Sequence, residues 1–123
     1  MKENKEYKEE REREVKPPEI GWEATYREFT RDTAQYPKDV EMEYLMIGLA
    51  NEVGELHGKH KKEIRGDYVN FTDKLDELGD VCWYMARLFD HYGVSHTEVL
   101  HRNFVKLTDR KDRGVIHGEG DKR

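Results

Sequence analysis

The sequence predicts an all-α protein on three observations. Apolar residues recur at steps of three and four along four separate segments, strand-type alternation is almost absent, and Pro or Gly stands where each periodic segment stops. The expected architecture has two long central helices and shorter flanking ones.

The first helix is expected over 22–33, where Trp22, Tyr26 and Phe29 share a face; Tyr36-Pro37 interrupts the pattern. The second spans about 40–64, with an apolar stripe of Tyr44, Leu45, Gly48, Leu49 and Leu56, and Gly66-Asp67 as its stop. The third spans about 71–91 on Leu75, Leu78, Cys82, Met85 and Phe89, ending at Tyr92-Gly93. Ser95 is a good N-cap for the fourth, with Glu98 three residues on as in a capping box; this helix carries Val99, Leu100, Phe104, Val105 and Leu107. The closing stretch RGVIHGEGDKR holds three glycines and is expected to be a loop.

Residues 1–19 offer almost nothing to bury, and Pro17-Pro18 would end any helix there, so they read as a flexible charged extension ahead of a helical domain at 20–123. The 123-residue chain is 35% hydrophobic and 40% charged, which leaves a modest core and favours completion by self-association. A net charge of −5 argues against a general nucleic-acid or membrane binder. No apolar run approaches the length of a membrane span, and the charged start lacks a secretory h-region. The lone Cys82 forms no internal disulfide and reads as a small buried residue; with the missing leader this points to a cytoplasmic protein.

The chemistry concentrates on the two long helices. Glu52 and Glu55 lie three apart beside the apolar stripe of the second helix, and Glu77 and Asp80 repeat that spacing on the third. Residues at i and i+3 project from one side of a helix, so antiparallel packing would bring both pairs together. Either pair alone is an ordinary solvated face. Four carboxylates gathered beside apolar surface repel one another unless a cation compensates, and an all-oxygen set suits Mg²⁺, with Mn²⁺ as a substitute. Zinc would recruit His or Cys, which neither pair contains. On the fourth helix Asn103, Lys106 and Arg110 share a face, a polar-basic line of the kind that neutralises phosphate oxygens or, alone, an ordinary solvated surface. No P-loop motif is present. His57 and His60 sit among Lys59, Lys61 and Lys62 and read as a solvated helix end. Glu98 and His101 make only half of a di-iron bundle motif. Trp83, next but two to Asp80, reads as a core residue or as a contact to a base or a neighbouring subunit.

GLANEVGEL followed by DELGDVCWYMARL resembles the MazG-like all-α nucleoside triphosphate pyrophosphohydrolases, whose signature is E-x-x-E, a spacer and E-x-x-D. RDTAQYP upstream and NFVKLTDRKDRGVIHGEGDKR downstream resemble segments of one subgroup, with an Asp inserted between Arg31 and Thr33. The resemblance covers about residues 24–121. It implies an antiparallel helical bundle assembled as a homodimer or homotetramer, Glu52, Glu55, Glu77 and Asp80 as Mg²⁺ ligands, and Asn103, Lys106 and Arg110 as phosphate contacts. It also implies hydrolysis of nucleoside triphosphates, dNTPs foremost, to monophosphate and pyrophosphate in nucleotide-pool control or housecleaning. Glu52 or Glu55 would then accept the proton of the attacking water. The competing reading is a non-catalytic helical interaction protein on the same scaffold.

Overall fold

The computed structural model describes residues 21–123; the charged extension expected at 1–19 lies outside the described residues. These form four α-helices and no strand: α1 (Trp22–Thr33), α2 (Glu41–Ile64), α3 (Phe71–Tyr92) and α4 (His96–Asp112), with a short 3₁₀ turn at Lys38–Val40. The all-α expectation is met, and the helix ends fall within a residue or so of those read from periodicity. None of these helices is long and apolar enough to cross a membrane.

The helix ends follow local chemistry. Pro37 has extended backbone and separates α1 from the 3₁₀ turn that leads into α2. After α2, Gly66 adopts φ 94°, the left-handed conformation that spares glycine a Cβ clash. There the Asp67 N–H donates to the Lys62 carbonyl (3.0 Å) and the Gly66 N–H to the Glu63 carbonyl (3.0 Å), a Schellman close. Asn70 then caps α3, its side-chain oxygen accepting from the Thr72 N–H at 3.1 Å. Ser95 caps α4 as expected, accepting from the Glu98 N–H at 3.0 Å.

The described residues fall into two compact units, 21–88 and Phe89–Arg123, divided inside α3. In the first unit, contacts between α2 and α3 run in opposite senses along the two helices. Lys74 of α3 meets Glu63 of α2 at 3.0 Å, Glu77 meets Lys59 at 3.0 Å, and Tyr84 lies against Gly48. The partner number falls as the α3 number rises, so the two helices are antiparallel. Gly48 leaves room for the Tyr84 ring, since a Cβ there would collide with it.

The core of this unit is small: Tyr36, Leu45 and Leu88 are buried, with Ala34, Met42, Leu49, Trp83 and Tyr84 packed against them. It also encloses polar groups. Arg87, buried on α3, donates to the Tyr36 hydroxyl (3.4 Å) and to Thr30 Oγ1 (3.5 Å), and Tyr36 donates to Glu41 Oε2 (2.6 Å). These bonds tie the end of α1 and the following turn to α3. Apolar surface remains open in both units: Ile47 (70%) and Leu78 are exposed in the first, and Phe104 (67%), Leu100 and Val105 in the second. Cys82 is exposed too, against the expectation of a buried thiol. It follows Leu78 by one turn on a face of α3 that the described residues leave exposed.

The second unit consists of the end of α3, α4 and the C-terminal loop. Phe89 stacks on His96 at 5.4 Å, and Val94 N–H closes the end of α3 on the Phe89 carbonyl at 2.9 Å. The loop is tied back onto α4 by arginines. Arg113 donates to the Arg123 carbonyl (2.6 Å), and Arg123 donates to the carbonyls of Val115, Ile116 and Gly120.

Candidate functional site

The antiparallel register brings Glu52 and Glu55 of α2 level with Glu77 of α3. One carboxylate oxygen from each of the three lies within 4.8 Å of the others. Glu77 is 8% exposed, Glu52 is half-buried and Glu55 is exposed. The set thus runs from a buried floor to an open mouth. Asn51, one turn before Glu55, donates to Glu55 Oε1 at 3.3 Å and helps fix its direction.

Asp80 stands outside this three-residue group, exposed one turn along α3. It remains within electrostatic reach: partial burial raises its carboxyl above the ordinary value, and the charges of Glu77 and Asp76 add to the rise. Glu52 behaves likewise. Burial raises it first, and the charges of Glu55, Asp80 and Glu77 raise it further. Glu77 moves the other way, chiefly because Lys59 donates a hydrogen bond to it.

Two oxygens in the group have no hydrogen-bond partner although they are buried: Glu52 Oε2 and Glu77 Oε2. Buried carboxylate oxygens are costly to leave unpaired, and nearly all in folded proteins find a donor or a cation. The donor set is all oxygen, with no His or Cys in the group. That set fits a hard divalent cation such as Mg²⁺ or Mn²⁺ and does not suit zinc.

Lys59 is a site residue that spacing alone did not single out. It follows Glu55 by one helical turn and places Nζ 3.0 Å from Glu77 Oε1. Only the α2–α3 register reveals the pair. Tyr84 lies within electrostatic reach of the group: burial raises its hydroxyl most, followed by the neighbouring Tyr44 and the charges of Glu52 and Asp80. Trp83 is engaged within the chain. Its indole donates to Thr33 Oγ1 at 2.8 Å, and its ring meets Tyr36 and Tyr84 edge-on at 6.4 and 5.0 Å. His60 reaches Glu63 at 3.9 Å from an exposed position, in keeping with a solvated helix end.

In the second unit, Asn103 and Lys106 are exposed on α4, whereas Arg110 is 4% exposed. The Arg110 guanidinium donates to the Asp121 carbonyl at 2.7 Å and reaches its carboxylate at 3.5 Å. Lys106 Nζ lies 3.6 Å from the same carboxylate. Both basic side chains that were expected to meet phosphate therefore face an aspartate of the C-terminal loop.

Fold and site together define an all-helical protein with a convergent three-glutamate group built on an antiparallel helix pair. No protein-family model matches the chain, and no solved structure does. The chain is 43% identical over 109 residues to the Gene 37 protein of Mycobacterium phage L5, a match spanning 80% of this chain and 96% of the phage protein. It belongs to the family of that phage protein.

Proposed function

We propose that this protein is a divalent-cation-dependent nucleoside triphosphate pyrophosphohydrolase of the MazG-like type. The observation that supports this most is the group Glu52, Glu55 and Glu77, with the buried Oε2 atoms of Glu52 and Glu77 lacking any partner. Such atoms are what a cation ligand set looks like from the protein side. Asp80 joins the set on the resemblance of DELGD to E-x-x-D, together with its electrostatic link to Glu77.

A bound Mg²⁺ would neutralise phosphate oxygens and polarise a water. The remaining work falls to the chain. Glu55, at the open mouth of the group, is placed to accept a proton from a water entering from solvent, more readily than the half-buried Glu52. Asn103, Lys106 and Arg110 are proposed as phosphate contacts on the sequence resemblance alone. For Arg110 the proposal requires release of its bonds to Asp121.

A homodimer or homotetramer is proposed for the same reason that the core is small. Apolar side chains on α2 and α4 such as Ile47 and Phe104 are left open, and a second copy would cover them. A cytoplasmic location and a preference for dNTPs belong to this proposal too.

The test is a panel of nucleoside and deoxynucleoside triphosphates incubated with Mg²⁺, scored by product. Monophosphate plus pyrophosphate supports the reading. Orthophosphate as first product would point to another class of hydrolase. Absence of turnover on every nucleotide, with a partner protein retained on the chain, would favour the non-catalytic interaction protein.

A further inference from the structure

Lys59 and Glu77 come from different helices, and their ion pair crosses from α2 to α3 at the level of the three glutamates. The two side chains are 25% and 11% exposed, so solvent reaches the pair only in part. Lys59 engages Oε1 of Glu77 and leaves Oε2 of the same carboxylate buried and unpartnered. A lysine head group has three donors and a compact single charge. Here it satisfies one oxygen of a group that presents several. A divalent cation among the same carboxylates would repel an ammonium this close to Glu77.

We infer that Lys59 is a resident counter-ion of the glutamate group, one that holds the metal-free site together and gives way when a divalent cation binds. The inference rests on the cation-site reading above and adds a competitor to it. The protein exchanges an internal ion pair for metal coordination, so its affinity for the cation is set below what the carboxylates alone would give. The Lys59 side chain can swing aside without unfolding α2, because it lies toward the exposed end of that helix and is held at its head group.

The experiment is a calorimetric titration of Mn²⁺ alone into the full-length wild type, Lys59→Met, Lys59→Arg and Glu52→Gln proteins, with thermal unfolding of each before and after saturation. Lys59→Met should bind Mn²⁺ more tightly than wild type, by about tenfold for removal of one adjacent like charge. It should unfold at a lower temperature without metal and lose that deficit once Mn²⁺ is bound. Lys59→Arg keeps the charge and grips a carboxylate with a fork, so it should bind Mn²⁺ no more tightly than wild type. Unchanged or weaker Mn²⁺ binding by Lys59→Met, or a stability deficit that persists in saturating Mn²⁺, would make Lys59 a plain structural ion pair. If wild type binds and Glu52→Gln does not, such a result overturns only the Lys59 assignment. If neither wild type nor Lys59→Met binds Mn²⁺, the cation site itself falls and the inference with it.

Discussion

The acidic group of α2–α3 and the basic group of α4 are both compensated from within the chain, but to different depths. Among the glutamates, Lys59 answers one oxygen of Glu77, and two buried oxygens remain without a partner. On α4, Lys106 and Arg110 share Asp121, whose side chain is 88% exposed and which costs little to displace. Arg110 is buried, yet its guanidinium is bonded to a backbone carbonyl. The acidic group therefore keeps two buried acceptors unsatisfied, while the basic group has its charges answered within its own unit. On the proposed reading, buried unpaired atoms, and not the number of like charges in a row, are the mark of a ligand site.

The largest effect that would break this contrast is chemical. Glu52→Gln keeps the shape, removes one charge and should lower turnover by at least about a hundredfold if Glu52 holds the cation. The same variant should be more stable than wild type without metal, because it relieves repulsion with Glu55 and Glu77. Steady-state kinetics and metal-free thermal unfolding check both. Full activity would remove Glu52 from the site.

Next in size is Gly48→Ala. An added Cβ would strike the Tyr84 ring, so α2 and α3 must part or the ring must move. Overpacking of this kind costs about 1–3 kcal/mol, measurable by chemical denaturation. It should also weaken Mn²⁺ binding, because the same register gathers the glutamates, while contacts within the second unit stay as they are.

The pH dependence of stability separates Glu52 and Asp80 by sign from the carboxylates that are ion-paired. Glu52 and Asp80 have raised carboxyls, so the fold takes up protons before the unfolded chain does, and their contribution grows as pH falls from neutral toward 4.5 and 3.8, their respective ordinary values. Asp109 and Asp121 are lowered, the first by Arg113 and the second by Lys106. Their contribution is present above 3.8 and is lost as pH falls below it. Glu77, lowered by Lys59, follows the second pattern around 4.5. Metal-free protein should accordingly be more stable at mildly acidic than at neutral pH, and Glu52→Gln should flatten that rise. Denaturation midpoints across pH would check it; a steady decline from neutral pH downward would contradict it.

The smallest expected effect is that of Asp121→Asn. An exposed ion pair contributes little, so thermal unfolding should barely change, and any change should fade with salt. A large loss of stability would mean that the α4 basic group is a structural latch.

The four helices are legible in the sequence because each carries its own periodic stripe and its own stop, as Gly66 and Ser95 illustrate. The pairing of Glu52 and Glu55 with Glu77 is legible too, since equal spacing on consecutive helices with a short link leaves few arrangements. What depends on exact register is not. Lys59 and Asp80 are each one turn from a group member, and the offset between α2 and α3 sets the first against Glu77 and the second outside the trio. Burial is hidden for a related reason. A stripe with Leu78 and Cys82 marks a face that wants covering, without saying whether this chain or another covers it. In the sequence Arg110 reads as a surface cation, because its partner, Asp121, lies in a glycine-rich loop with no periodicity.

On the proposed reading, the unpaired oxygens of Glu52 and Glu77 hold a cation. Titration of Mn²⁺ into the metal-free protein, followed by the loss of the free-ion electron paramagnetic resonance signal, decides it. Binding at a fixed stoichiometry that tightens as pH rises and disappears in Glu77→Gln is the predicted result. No loss of free Mn²⁺ signal, or equal binding by Glu77→Gln, would contradict it.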